Sequence, residues 1–213
     1  LRKFKKMGCK VENFYESRFL IKDSNNTEEI FKKLMKKFDL SEFNLIDYQD
    51  IYFENRLPKF SGRNPLLRIR KSSSRRWESK KSIQIIYVRP NEIMNNFPEQ
   101  YRYFPIKKDK IYYSLNKVPK RFNQIKDKKF VKFLKKYALE KTGKKIKFSR
   151  SGARNKELLI SMDKIPKKDY LILELKVFSD VNLLTRAMKF IMREFPVIQT
   201  TQSKSEIRLK DKE

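Results

Sequence analysis

Positive charge in this chain is gathered into three blocks. Residues 1–10 carry five bases and no acid, residues 63–90 carry nine bases against Glu78, and residues 117–156 carry sixteen against Asp127 and Glu140. These 78 residues hold a net +27 of the chain's +28, which leaves +1 for the other 135. Four glycines and three alanines beside abundant Lys, Asn, Ile, Phe and Tyr are what an A/T-rich coding sequence yields. Codon bias raises Lys everywhere, however, and does not segregate it. The blocks therefore read as electrostatic surfaces whose natural partner is a dense polyanion.

Among polyanions the sequence favours nucleic acid, because each Lys or Arg on a phosphate releases condensed counterion and gives affinity without reading sequence. An anionic membrane calls for an amphipathic helix with exposed apolar residues opposite the bases. Phe130, Phe133, Leu134 and Tyr137 do share a helical face, but that periodicity reads as a core-packing helix. No apolar run approaches the length of a membrane span. Hydrophobic residues at 39% and aromatics at 13% suffice for a core, and 213 residues suit one domain. The absence of His excludes Ser-His-Asp and Cys-His catalysis and every His-containing metal site. The single Cys9 excludes an intrachain disulfide framework and a Cys-cluster zinc site.

Periodicity and punctuation give an outline. The first ten residues read as an unpacked basic arm, and Asn13–Ile21 as a strand. Residues 23–27 form a turn and N-cap cluster ahead of a helix reaching Phe38, with Glu28 and Glu29 in its first turn. Phe43–Phe53 is extended, Pro58 to Pro65 is a loop, and Leu66–Arg70 is a strand. Lys71–Arg76 reads as a hairpin tip, and Ser82–Val88 and residues 101–115 as further strand. A basic helix is predicted over 119–141, a short strand over Lys144–Ser149 and a turn at Ser151-Gly152-Ala153. Strands at Glu157–Met162 and Tyr170–Phe178 precede a helix over Leu183–Glu194, capped by Asp180 or Asn182 and stopped by Pro196. Val197–Thr201 can return as a strand. With no repeat and no βαβ rhythm, the expectation is α+β: an antiparallel sheet with two or three packed helices and basic extensions. The arm at 1–10 then precedes one domain over 11–213, with basic insertions around 63–90 and 117–145.

Glycine-rich phosphate cradles are absent. The acid sets Glu12/Glu16, Asp47/Asp50/Glu54 and Asp163 with Glu174 have as their plainest reading solvated carboxylates or partners for nearby bases. The bases suggest contacts to phosphate. Arg68 and Arg70, two apart on one strand, point the same way. Arg75, Arg76, Lys80 and Lys81 surround Trp77, a stacking surface or a core residue. Arg150, Arg154 and Lys156 flank Gly152 in a turn where backbone N–H groups can help.

Two family resemblances rest on short motifs. Glu16-Ser-Arg18, Asp50-Ile-Tyr-Phe53, Leu67-Arg-Ile-Arg70, Leu173-Glu-Leu-Lys176 and Ser203-Lys-Ser-Glu206, in that order, look like the triphosphate tunnel enzymes. That likeness implies an antiparallel barrel whose bases hold a phosphate chain and whose carboxylates hold a divalent metal. Phe14 stands where that family's opening motif has its first acid, and Val88 where a central-strand Lys is expected. Separately, Lys3-Phe-Lys-Lys-Met7, Tyr101-Arg-Tyr-Phe-Pro105, Arg150-Ser-Gly152 with Asn155-Lys-Glu157, and Leu183–Phe195 with Pro196–Thr201 resemble large-subunit ribosomal protein sixteen of bacteria and organelles.

The leading expectation follows the second resemblance: a ribosomal protein of a mitochondrial large subunit, with no enzymatic activity, no cofactor, no catalytic residue and no metal ligand. Its partners are expected to be ribosomal RNA, neighbouring ribosomal proteins and transfer RNA, with no membrane. The RNA contacts are assigned to Lys3, Lys5, Lys6, Arg68, Arg70, Arg75, Arg76, Trp77, Lys80, Lys81, Lys144, Lys145, Arg150, Arg154 and Lys156. The alternative is a metal-dependent triphosphate tunnel enzyme, a triphosphatase or polyphosphate-polymerase-like protein.

Overall fold

A computed structural model describes residues 2–22, 27–53, 56–57, 65–74, 77–88, 106–117, 124–137 and 144–200. Along these, α1 (Arg2–Lys5) leads to β1 (Lys10–Lys22), α2 (Thr27–Phe38) and β2 (Ser41–Phe53). The middle of the chain supplies β3 (Leu66–Ser74), β4 (Trp77–Val88), β5 (Ile106–Leu115) and α3 (Lys128–Tyr137). The last third contains β6 (Lys144–Arg154), β7 (Leu158–Lys164), β8 (Tyr170–Val177), α4 (Val181–Glu194) and the two-residue β9 (Ile198–Gln199). The expected features at 58–64, 75–76, 101–105, 118–123 and 138–143 lie outside the described residues.

Hydrogen bonding links the strands in the order β5-β4-β3-β2-β6-β7-β8-β1-β9, and β5 also pairs with β1. The strand order thus closes on itself, the topology of an eight-stranded antiparallel barrel. This corrects the expected α+β sheet with packed helices and basic extensions. The segment taken for a basic insertion at 63–90 is the β3–β4 hairpin, paired from Leu66 opposite Ile86 to Ser74 opposite Trp77. On β3 Arg68 and Arg70 alternate with Leu67 and Ile69, and on β4 Ser82 and Gln84 alternate with Ile83 and Ile85, so one side of each strand is apolar while the other is polar. A sum over net charge is blind to that alternation.

The chain gathers into two compact units. The first comprises Leu1–Asn13, Asp47–Pro90 and Lys108–Lys147. Here Leu67, Ile69, Ile83, Ile85 and Ile111 make the apolar face, and Phe130 and Leu134 of α3 pack in the same core. Tyr113 stacks on Phe130 with ring centroids 4.3 Å apart. The first ten residues are not an unpacked arm. Phe4, Met7 and Cys9 belong to this core, and Phe4 meets Phe133 edge-to-face at 5.1 Å. The basic residues Lys5 and Lys6 stay exposed while Phe4 before them and Met7 and Cys9 after them turn inward.

The second unit comprises Phe14–Ile46, Asn91–Lys107 and Phe148–Glu213. Phe19 and Ile21 of β1, Ile160 of β7, and Leu173 and Leu175 of β8 form its apolar face, closed by Ile30 and Leu34 of α2 and by Leu184, Met188 and Ile191 of α4. Asp180 caps α4, its Oδ1 accepting from the Asn182 N–H at 2.8 Å. The tripeptide Ser151-Gly152-Ala153, expected as a turn, continues β6 instead. The Phe43 ring lies against Gly152 so closely that a Cβ there would have to push the ring aside. The turn comes later, where Asn155 Oδ1 accepts from the N–H groups of Glu157 and Leu158.

If residues 1–10 are core, Phe4→Ala lowers stability by about 3 kcal/mol in urea melts. An unpacked arm would leave the midpoint unchanged.

Candidate functional site

In each unit the part of the sheet that is apolar on one side is polar on the other, and the polar sides hold buried ions. In the second unit, antiparallel register sets Glu16 opposite Lys176, Arg18 opposite Glu174, Ser161 opposite Glu174 and Arg150 opposite Asp163. Directly opposed residues lie on one face, so three acids and three bases meet there. Arg150 Nε and Nη2 donate to Asp163 Oδ1 and Oδ2 at 2.6 and 2.8 Å, a bidentate grip, and Nη2 also reaches Glu174 Oε2 at 2.6 Å. Arg18 bridges Glu174 Oε1 at 2.8 Å and Glu16 Oε1 at 2.6 Å. The Lys176 ammonium sits 3.3 Å from Glu16 Oε2 and 3.4 Å from Glu174 Oε2, and 5.2 Å from the centre of the Phe14 ring. Glu16, Asp163 and Glu174 are almost fully buried, so each charge depends on these partners.

The first unit has its own cluster. Asp50, wholly buried, accepts from Arg70 Nε and Nη2 at 2.7 and 2.6 Å, from Arg68 Nη1 at 3.0 Å and from the Tyr52 hydroxyl at 3.2 Å. Gln84 Oε1 accepts from Arg68 Nε and Nη2 at 3.0 and 2.8 Å. The Arg70 guanidinium stacks 4.6 Å from the Tyr48 ring centre. Beside them the Lys110 ammonium lies 4.5 Å from the Tyr112 ring centre, and Tyr112 donates its hydroxyl proton to Glu12.

Of the bases assigned to RNA, Arg68, Arg70 and Arg150 are therefore buried and bound to carboxylates. Lys5, Lys6, Lys80, Lys145, Arg154 and Lys156 are exposed, and Lys81 donates to the Asn116 carbonyl at 3.0 Å. Lys3, Trp77 and Lys144 lie on α1, β4 and β6 with side chains outside the description, and Arg75 and Arg76 lie outside the described residues. Sequence reasoning under the leading reading missed Glu16, Arg18, Asp50, Asp163, Glu174 and Lys176. The signal that could have found them is the tunnel-enzyme motif series, which contains all of them but Asp163.

Among the described residues no group of three acidic or thiol side chains is disposed to hold a metal ion. The reason is visible in the second unit, where all six oxygens of Glu16, Asp163 and Glu174 face a guanidinium or ammonium group. The residues as disposed do not fit a resident divalent cation. One polar group on this face is left over: among the described residues the buried Ser161 hydroxyl has no hydrogen-bond partner.

No protein-family model matches the sequence, and no curated protein does. Solved structures match over nearly the whole chain. The PH1819 protein of Pyrococcus horikoshii is similar with a TM-score of 0.56 at 17% identity, over 92% of this chain and 99% of that one. A candidate adenylate cyclase of Bacillus halodurans gives 0.54 at 14% identity, over 93% and 97%. A chain of the Schizosaccharomyces pombe Mediator head module gives 0.54 at 9% identity, over 88% and 100%. At these identities the likeness is one of fold.

These matches overturn the ribosomal reading and, with it, the expected partners: ribosomal RNA, ribosomal proteins and transfer RNA. They also correct the expectation of a protein without activity, because the solved structures that share the fold include candidate adenylate cyclases. The segments that suggested ribosomal protein sixteen have local explanations here. Lys3–Met7 runs through a helical turn whose Phe4 and Met7 are core residues. Arg150-Ser-Gly152 is strand interior, Asn155-Lys-Glu157 is a hairpin turn, and Leu183–Phe195 covers the second unit's own sheet. Tyr101–Pro105 lies outside the described residues.

Burial raises the Glu12 carboxyl, but hydrogen bonds from Lys10 and Tyr112 outweigh it and hold the group below its ordinary value of 4.5. A folded-state pKa below the unfolded one gives stability that is present above the unfolded value and lost as pH falls through the folded value. Between about pH 7 and about pH 3, wild type should lose more stability than Glu12→Gln in urea melts. Equal losses would remove Glu12 from the acid limb.

Proposed function

We propose that this chain is an enzyme acting on a linear triphosphate group, free or carried on a nucleotide or RNA end, as a triphosphatase or polyphosphate-polymerase-like protein. The observation that carries this reading is the set of guanidinium and ammonium groups paired to buried carboxylates on the polar faces of both units, the buried Arg68 and Arg70 in one, and the buried Arg150 with the partly exposed Arg18 and Lys176 in the other. The fold supports it, since one protein sharing that fold carries the name of an activity on a nucleoside triphosphate.

Planar guanidinium groups match the spacing of phosphate oxygens and bind them bidentately. Here their orientation is already fixed by carboxylates, so an arriving phosphate finds donors whose side-chain entropy has been removed in folding. Phosphate oxygens share these guanidinium groups with Asp50, Asp163 and Glu174, which stay paired and hold the bases in place. In a buried site the same bases stabilise negative charge that develops on a leaving phosphate oxygen. The Ser161 hydroxyl adds a neutral donor beside Glu174. No step is assigned to a resident metal, because the carboxylates are committed to bases.

Phosphate release from inorganic triphosphate, ATP and triphosphate-ended RNA tests the reading, assayed with and without added Mg²⁺ or Mn²⁺. Arg68→Lys is expected to lower turnover of the preferred substrate by about 10-fold or more, the range of one charge-assisted hydrogen bond. Ser161→Ala should weaken triphosphate binding by about 5-fold while leaving stability unchanged or slightly raised, since it removes a buried donor that has no partner. Absence of both release and binding for all three substrates would sink the proposal.

A further inference from the structure

Lys176 is placed differently from the other bases of its cluster. Arg18 and Arg150 approach carboxylates as forks, at 2.6–2.8 Å. The Lys176 ammonium instead stands off at 3.3 and 3.4 Å, between one oxygen of Glu16 and one of Glu174 that converge from neighbouring strands. Below it lies the Phe14 ring, its centre 5.2 Å away, presenting the negative face of an aromatic quadrupole. Two carboxylates and an aromatic face around a compact point charge make a seat for a cation. A side chain of this chain already fills it.

Charge points the same way. Glu16, Asp163 and Glu174 supply three negative charges, and Arg18, Arg150 and Lys176 supply three positive ones. A divalent cation entering this face would raise the buried charge to +2 and would have to displace an ammonium tethered by its own backbone. Phe14 offers it no oxygen, and the six carboxylate oxygens are occupied.

We propose that the Lys176 ammonium is a built-in cation, seated between Glu16 and Glu174 over Phe14, and that this face takes phosphate without a resident divalent metal. The inference rests on the triphosphate reading only for what the site is used for; the cation seat itself stands on the geometry of the second unit. A tethered ammonium contributes one charge and three N–H donors, and it suits a phosphate oxygen that arrives beside the guanidinium groups. It cannot be removed by a chelator.

Mn²⁺ titration of the full chain, read by loss of the free-ion electron paramagnetic resonance signal, tests the seat without any substrate. Wild type should leave the signal unchanged up to about 1 mM Mn²⁺. Lys176→Met empties the seat and should bind about one equivalent at least 10-fold more tightly than wild type, whereas Lys176→Arg should stay like wild type. Stoichiometric Mn²⁺ binding by wild type, or a folded Lys176→Met that binds no better, would overturn the proposal. If Lys176→Met does not fold, the wild-type titration decides alone. Failure of phosphate release with the Mn²⁺ results as expected would count against the triphosphate reading and not against the seat.

Discussion

Burial of charge in pairs is the constraint on which both units depend. Asp50 is wholly buried and is held by Arg68 and Arg70, while Asp163 and Glu174 are held by Arg150 and Arg18. A carboxylate taken out of water at such positions is tolerable only with a cation and several hydrogen bonds around it, and losing one partner costs about 3–5 kcal/mol. These pairs therefore fix strand register. Slipping β7 against β6 or β8 by one residue would turn Asp163 into the apolar core and expose Ile160 and Met162 to the ions. The apolar faces under α3 and α4 supply the driving force, and the ion pairs select which pairing of strands is compatible with it.

The same pairs bear on function. On the proposed reading, bases held in place by carboxylates are the groups that meet an anion with several oxygens. The fold is shared with a candidate adenylate cyclase and with a chain of the Mediator head module, so fold alone does not select a role. The side chains on the polar faces do. In this chain those side chains are rich in Arg and Lys, and their acids are committed to pairing.

Much of the secondary structure could be read from residue patterns. The helix at Thr27–Phe38 was legible from Glu28 and Glu29 at its start and from Ile30 and Leu34 on one face. The helix at Val181–Glu194 was legible from its Asp180 cap and the stop at Pro196. Strands β7 and β8 were plain from their apolar residues. Gly152 misled, because a glycine in a strand under the Phe43 ring looks in sequence like a glycine in a turn. The opening residues misled as well, since Phe4 and Met7 stand among five bases and their burial depends on a core built from residues far along the chain. Of the candidate site, the motif series was visible but its meaning was not. Arg68 and Arg70 look the same in sequence whether they face a phosphate or Asp50, eighteen and twenty residues away.

Composition and spacing by themselves determined that this chain has an apolar core, that it lacks the residues for His-based chemistry, and that its bases lie in blocks. They determined most strands and two helices, because local periodicity is a property of neighbours in the chain. Only the tertiary structure decided that the blocks are not outward surfaces throughout. Antiparallel pairing brings Arg18 to Glu174 across 156 residues and Arg150 to Asp163 and Glu174 across 13 and 24. Whether a charge meets water, nucleic acid or a buried carboxylate is set by what lies opposite on the next strand, and strand order is a non-local outcome that net charge does not encode.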